Sequence, residues 1–156
     1  MKKYLGLDLD APRADLSGLF PAEFLKIHLH KVQGSAMAEI ERNLEEDEDL
    51  QKEDLIEAQE TAGFHEIELR HAIGSLFNHL FLWSILENPA AIKVSEPQGK
   101  LKEYIDKYFT STAGLKEAFT KAVNGRVLPG WVWLGLTKEG QLVVTQTNNE
   151  DNTLMH

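Results

Sequence analysis

Apolar residues recur every three or four positions through the first third of the chain. The recurring residues are Leu25, Leu29, Val32, Ala36 and Ile40. This spacing gives a helix one apolar face. Pro21 suits a first helical position, because the N–H that proline lacks has no intrahelical acceptor there. The pattern predicts a long amphipathic helix from Ala22 to near Leu44.

Residues 55–86 carry the same helical spacing, with an interruption expected near Gly63. Asn88 and Pro89 then end the pattern, because proline cannot continue a helix. An acidic stretch, "EEDEDLQKED", separates the two patterns. Like-charged blocks repel and extend, so this stretch is either a solvated connection or an acidic patch that docks a partner. We expect two antiparallel helices joined by this link.

The segment "PAAIKVSEPQGK" holds two prolines and a glycine and is typical of a linker. Beyond it, residues 101–109 predict a short helix. Thr112 is then expected to cap another helix, which closes at Asn124 and Gly125.

The period changes after residue 129. "GWVWLGLT" and "QLVVTQT" are rich in aromatic and β-branched residues, and they flank "KEG". Such a pattern predicts a β-hairpin whose turn places Gly140 at positive φ. Helices followed by a short antiparallel hairpin give an α+β fold class rather than a doubly wound sheet.

Composition narrows the function classes. The formal net charge is −9, and residues 39–60 hold eleven acids against Arg42 and Lys52. This excess disfavours contact with a nucleic-acid backbone, so little direct nucleic-acid binding is expected. No apolar run approaches the roughly 20 residues of a membrane span. Without cysteine, any metal must be held by histidine and carboxylate side chains.

Four strings in order carry a resemblance: "LKIHLHK", "NHLFLW", "GWVWL" and "LVVTQTNNEDNTLM". Together they are similar to the iron/manganese superoxide dismutases, over nearly the whole chain. The resemblance implies a helical hairpin domain over residues 1–88 and a partial α/β domain over residues 89–156. In that comparison the last strand and helix of the family are missing from this sequence.

The resemblance also implies a metal site. His28 and His79 fall on the family's first two metal ligands, and Trp83, Trp131 and Trp133 fall on the aromatic wall around such a site. The other two ligands come from a D-x-W-x-H segment, which this sequence does not contain. Two imidazoles without the carboxylate favour vestigial ligand positions over an occupied metal pair.

The surroundings of the implied site differ from the family as well. The family places a histidine and a tyrosine where this chain has Val32 and Ala36, and its metal-tuning glutamine matches Ser75 or Glu150. Neither of the last two is glutamine. Asn78, with the tryptophans and Glu150, is expected to lie around the ligands rather than to bind metal.

The first function hypothesis is therefore a non-catalytic, superoxide dismutase-like structural subunit without a cofactor. By family analogy the preferred assembly is the small subunit of the mitochondrial ribosome. The alternative is a true superoxide dismutase with iron or manganese, whose remaining ligands lie outside this sequence or come from another chain. The beginning of the sequence resembles neither a secretory signal nor a transit peptide. Mitochondria are the expected location because the preferred assembly is mitochondrial, and the cytoplasm is the alternative.

Partners are expected to be protein subunits. The strand over Trp131 to Thr137 is central in the family and has an open edge here, which invites strand addition by another chain. Dimerisation with a related chain through the helical hairpin is a further expectation.

Overall fold

The first predicted helix forms over its whole predicted range. In a computed structural model, which describes residues 16–88, 90 and 96–155, helical backbone runs without a break through α1 (Ala22–Lys26), a π-helical stretch (Ile27–Val32) and α2 (Gln33–Leu44). The predicted end at Leu44 is confirmed. The π-helical stretch, with its wider i→i+5 turns, carries the first candidate ligand and was not predicted from the spacing.

The second pattern forms α3 (Leu55–Thr61), a 3₁₀ turn (Ala62–Phe64) and α4 (Ile67–Ile85). The interruption near Gly63 is confirmed. α2 packs against α4, and the core between the helices consists of buried aliphatic residues, among them Ile40, Leu50, Leu55, Ile73 and Leu76. Each such side chain contributes roughly 1.5–3 kcal/mol on burial, so this core holds the hairpin together.

The acidic connection is more ordered than charge repulsion alone predicts. The Asp47 carboxylate accepts hydrogen bonds from the backbone N–H groups of Asp49 and Leu50. Asp54 forms a capping box with Glu57 at the start of α3. Leu50 between them is 1% exposed. Asp47 therefore closes a turn before Leu50, Asp54 caps α3, and the buried leucine anchors the connection to the core.

Two further helices, α5 (Gly99–Phe109) and α6 (Thr112–Asn124), follow the linker. The predicted cap is corrected by one position: the side chain of Ser111, not Thr112, accepts a hydrogen bond from the N–H of Gly114. Thr112 already has helical backbone, and its hydroxyl instead contacts the Glu96 carboxylate at 3.0 Å.

The predicted hairpin is confirmed as β1 (Gly130–Leu136) and β2 (Leu142–Asn148), an antiparallel pair with Leu136 opposite Leu142 at the turn. Gly140 has φ of 77°, as its place in the turn predicts. The α+β fold class is confirmed, with a helical hairpin followed by helices and a two-stranded sheet.

The described residues divide into two units, which we treat separately. Residues 16–88 group with residues 150–155, and residues 96–149 form the second unit. The resemblance places residues 150–156 in the second domain, whereas residues 150–155 pack in the helical unit. The other predicted domain limits stay a prediction. None of the helices that the structure describes is long and apolar enough to cross a membrane.

Candidate metal centre

Two imidazoles face each other across the helical unit. His28 lies on the π-helical stretch and His79 on α4, and their ring centroids are 5.7 Å apart. Two imidazoles bound to one ion, each nitrogen about 2.1 Å from it, would place their centroids roughly 5–6 Å apart. The structure therefore brings together the two predicted ligand positions at a spacing that suits a shared ion.

Both rings are held in the same way. Nδ1 of His28 lies 3.0 Å from the carbonyl oxygen of Phe24, and Nδ1 of His79 lies 2.8 Å from that of Ser75. A carbonyl can only accept, so each Nδ1 donates, and in a neutral ring Nε2 then carries the lone pair. A backbone carbonyl on one ring nitrogen is the usual support of a metal-binding histidine. Each helix thus presets its own imidazole.

Aromatic rings surround this pair. Phe24 stacks on His28 with centroids 4.0 Å apart, and Trp83 lies 6.3 Å from each imidazole. The Trp83 Nε1–H donates to Oε1 of Gln33 at 3.1 Å. The predicted place of Trp83 beside the two histidines is therefore seen in the structure, and its indole also ties α4 to α2.

Trp131 and Trp133 lie in the second unit. Their rings stack at a centroid distance of 5.8 Å, and Nε1 of Trp133 donates to Oγ1 of Thr147. Within that unit they pack along β1. Their assignment to an aromatic wall around a metal stays a prediction.

Asn78 is buried next to His79 and leads to residues that sequence reasoning missed. Its Nδ2 donates to the carbonyl oxygen of Glu150 at 2.9 Å and lies 3.5 Å from the Glu150 carboxylate. Nδ2 of Asn152 donates to Oδ1 of Asn78 and to Oε1 of Gln59. Gln59 in turn donates to backbone carbonyls of Leu55 and Ile73. We call Gln59, Asn78 and Asn152 the amide network.

One feature of the sequence could have indicated part of the amide network. Gln59 follows Leu55 and Ala58 on the apolar face of α3, and a polar residue on such a face needs a buried partner. Asn152 lies in "NNEDN", where nothing marks one asparagine as buried. Its partners become apparent only when residues 150–155 are seen against α4.

Gly74 explains how residues 150–155 reach α4. A Cβ at this position would lie 2.1 Å from the carbonyl oxygen of Glu150, closer than any real contact. Glycine is therefore required for the segment to approach. The Arg70–Asp151 ion pair at 2.9 Å adds a second tie.

The four positions that the resemblance marked around the ligands gather in one place. Val32, Ala36, Ser75 and Glu150 all line one open cavity of about 520 Å³ in the helical unit. Its other lining residues are Lys31, Ser35, Glu39, Glu68, His71 and Ala72. The two helices that carry His28 and His79 supply most of the lining, although neither histidine lines the cavity itself.

Among the residues that the structure describes, the imidazole pair has no further ligand for iron or manganese. In the parts of the chain that the structure describes, no group of three or more histidine, cysteine, aspartate or glutamate side chains is placed to hold a metal ion. The imidazole pair supplies two ligands, whereas catalytic metal sites normally have at least three protein ligands. His28 and His79 thus have the form of half of a metal site.

Comparison with known proteins places these features in a family. A family model described as "Iron/manganese superoxide dismutases, C-terminal domain" matches residues 97–156. "Superoxide dismutase [Mn]" of Thermus aquaticus is 34% identical over 95% of this chain and 73% of its own length. The chain belongs to the iron/manganese superoxide dismutase family.

Two further relatives are similar over most of this chain. "Superoxide dismutase [Mn]" of Acinetobacter baylyi is 34% identical over 84% of the chain and 57% of its own length. "Superoxide dismutase [Mn] 1" of Leptolyngbya boryana is 30% identical over 94% of the chain and 61% of its own length. The sequence therefore spans little more than half of some relatives that it matches.

Proposed function

We propose that this family member is a non-catalytic subunit of a larger assembly, and that its helical unit retains half of a metal site without redox activity. The observation that carries the proposal is the cavity lined by Val32, Ala36, Ser75 and Glu150. Val32 and Ala36 stand where the family has a histidine and a tyrosine, and neither of the two places of its glutamine holds one here; the four positions line one cavity in the helical unit.

Each replacement removes a function that redox chemistry uses. Valine and alanine at positions 32 and 36 can neither donate nor accept a proton, whereas the histidine and tyrosine of the family can. An ionised carboxylate at Glu150 only accepts hydrogen bonds, whereas the glutamine of the family also donates through its amide. Polar groups around a metal set its affinity and potential, so these changes argue against a tuned redox ion.

A purified chain of natural length tests this proposal. We expect superoxide consumption at least about 100-fold below that of a manganese superoxide dismutase assayed beside it, because loss of one outer partner alone costs about 10–100-fold in affinity or activity. Metal content is measured on the same sample. Full activity that disappears in His79→Ala would contradict the proposal.

The second candidate function is a superoxide dismutase that uses iron or manganese, with the remaining ligands supplied from outside the described residues or by another chain. The matched Nδ1 hydrogen bonds of His28 and His79 favour it, because they preset two ligands. One equivalent of iron or manganese per chain, with activity, would select this candidate over the first.

The choice of assembly is based on the family resemblance alone. The preferred assembly is the small subunit of the mitochondrial ribosome. Strand addition at the Trp131 to Thr137 edge is the proposed means of attachment. The net charge of −9 supports a place among proteins rather than on RNA. Sedimentation of mitochondrial lysate tests this: the chain should co-sediment with the small ribosomal subunit, and migration as a free protein would contradict it.

A further inference from the structure

Three apolar side chains are exposed along α3 and the turn that leads into α4. Phe64 is 90% exposed, Ile67 56% and Ile56 52%. Single exposed apolar side chains are ordinary on soluble proteins. A phenylalanine almost wholly in solvent, with an exposed isoleucine three residues later, is instead an apolar surface of the kind found at binding sites.

Phe64 and Ile67 lie at the turn between α3 and α4, whereas Ile56 lies in the first turn of α3. Ile56 and Glu60 are four residues apart on the outward face of α3, because Leu55 and Ala58 take the buried face. Phe64 ends the 3₁₀ turn that follows, and Ile67 begins α4, which packs against both α3 and this turn. We call residues 53–68 the acidic tip.

The charge of the acidic tip restricts what can cover it. Residues 53–68 carry six carboxylates and no lysine or arginine: Glu53, Asp54, Glu57, Glu60, Glu66 and Glu68. An apolar patch surrounded by one sign of charge binds surfaces of the opposite sign and repels like surfaces. The acidic tip of a second copy and a nucleic-acid backbone are both disfavoured for this reason.

We propose that the acidic tip docks a basic segment of a partner protein, whose apolar side chains cover Phe64 and whose lysine or arginine side chains meet the surrounding carboxylates. Exposed aromatic residues are typical anchors of such contacts. The inference goes beyond the proposed function, because it holds whether or not the imidazole pair binds a metal.

Binding of a designed probe tests the proposal on the full chain. The probe is a labelled 18-residue helical peptide of leucine and lysine with leucines along one face, and its counterpart replaces lysine by glutamate. We expect the lysine peptide to bind by fluorescence anisotropy and the glutamate peptide not to bind. Phe64→Ala should weaken binding by about tenfold or more, because truncating an anchor removes much of the interface energy.

Matched variants separate this surface from general attraction to an acidic protein. Glu60→Lys and Glu117→Lys change the net charge equally at two exposed positions, but only the first lies in the acidic tip. We expect weaker binding for Glu60→Lys alone, and no change for Val127→Ala, which is 95% exposed in the second unit. Equal losses at positions 60 and 117, unchanged binding in Phe64→Ala, or self-association that Phe64→Ala abolishes would each overturn the proposal.

Discussion

The two sides of α4 differ in what holds their polar groups. On one side, His79 meets His28 among aromatic rings, and each imidazole is held by a carbonyl of its own helix. On the other side, Asn78 belongs to an amide network that joins three separate segments of the chain. The imidazole pair is thus preset locally, whereas the amide network depends on tertiary structure. Substitutions on the amide side should therefore cost more stability.

The largest expected effect is at Gly74, where the C-terminal segment approaches α4. Gly74→Ala should lower the free energy of unfolding by about 3 kcal/mol, because the new methyl group would displace the Glu150 carbonyl and strain its surroundings. Chemical denaturation measures this. Gly34→Ala is the matched control, since a Cβ there meets nothing within 4 Å. It should be neutral or stabilising by up to about 1 kcal/mol. Equal effects at both glycines would contradict the account.

Asn152→Ala comes next on the amide side. It leaves Oε1 of Gln59 and Oδ1 of Asn78 without the donor that now serves both, and a buried polar group without its partner costs about 1–3 kcal/mol. We expect a loss of about 2 kcal/mol in the same denaturation measurement. Asn148→Ala, at an exposed position on β2, should change little. A smaller loss for Asn152→Ala than for Asn148→Ala would show that the network does not anchor residues 150–155.

A smaller loss is expected on the imidazole side. Trp83→Phe keeps a ring beside His28 but removes the hydrogen bond to Gln33, so we expect a loss of about 1 kcal/mol. Gln33→Ala should cost a similar amount. The double variant should cost less than the sum, because both changes remove the same bond. Additive losses would mean that this hydrogen bond does not stabilise the fold.

The smallest expected effect is the pH dependence of stability that comes from Asp47, in the connection between α2 and α3. The backbone N–H of Leu50, with that of Asp49, holds the pKa of the Asp47 carboxyl below its usual value of 3.8. A lowered pKa contributes stability above the unfolded value that is lost as pH falls through the folded one. Asp47→Asn should therefore flatten the loss of stability below about pH 4. An unchanged acid transition in thermal unfolding would contradict this.

The sequence predicted local structure better than it predicted tertiary polar contacts. The limits of the first helix, the interruption at Gly63 and the turn at Gly140 follow from spacing and backbone chemistry, which are local properties. The predicted cap at Thr112 was wrong by one residue. Ser111 and Thr112 both carry a capping hydroxyl, and only their backbone conformations show which of them precedes the helix. The spacing of apolar residues did not predict the π-helical stretch around His28.

The candidate site divides in the same way. His28, His79 and Trp83 came from the family resemblance, which depends on short motifs that can be read locally. Gln59 and Asn152 were missed, because their roles depend on a contact between segments far apart in the chain. The vacant state of the imidazole pair stays a prediction, which metal analysis tests.

Metal stoichiometry tests the central claim most directly. Purified chain of natural length, expressed with added iron or manganese, is analysed by elemental mass spectrometry beside the variant His28→Gln, His79→Gln. We predict far less than one equivalent of either metal per chain, with no difference between the two samples. One equivalent of iron or manganese that is lost in the double variant would contradict the account.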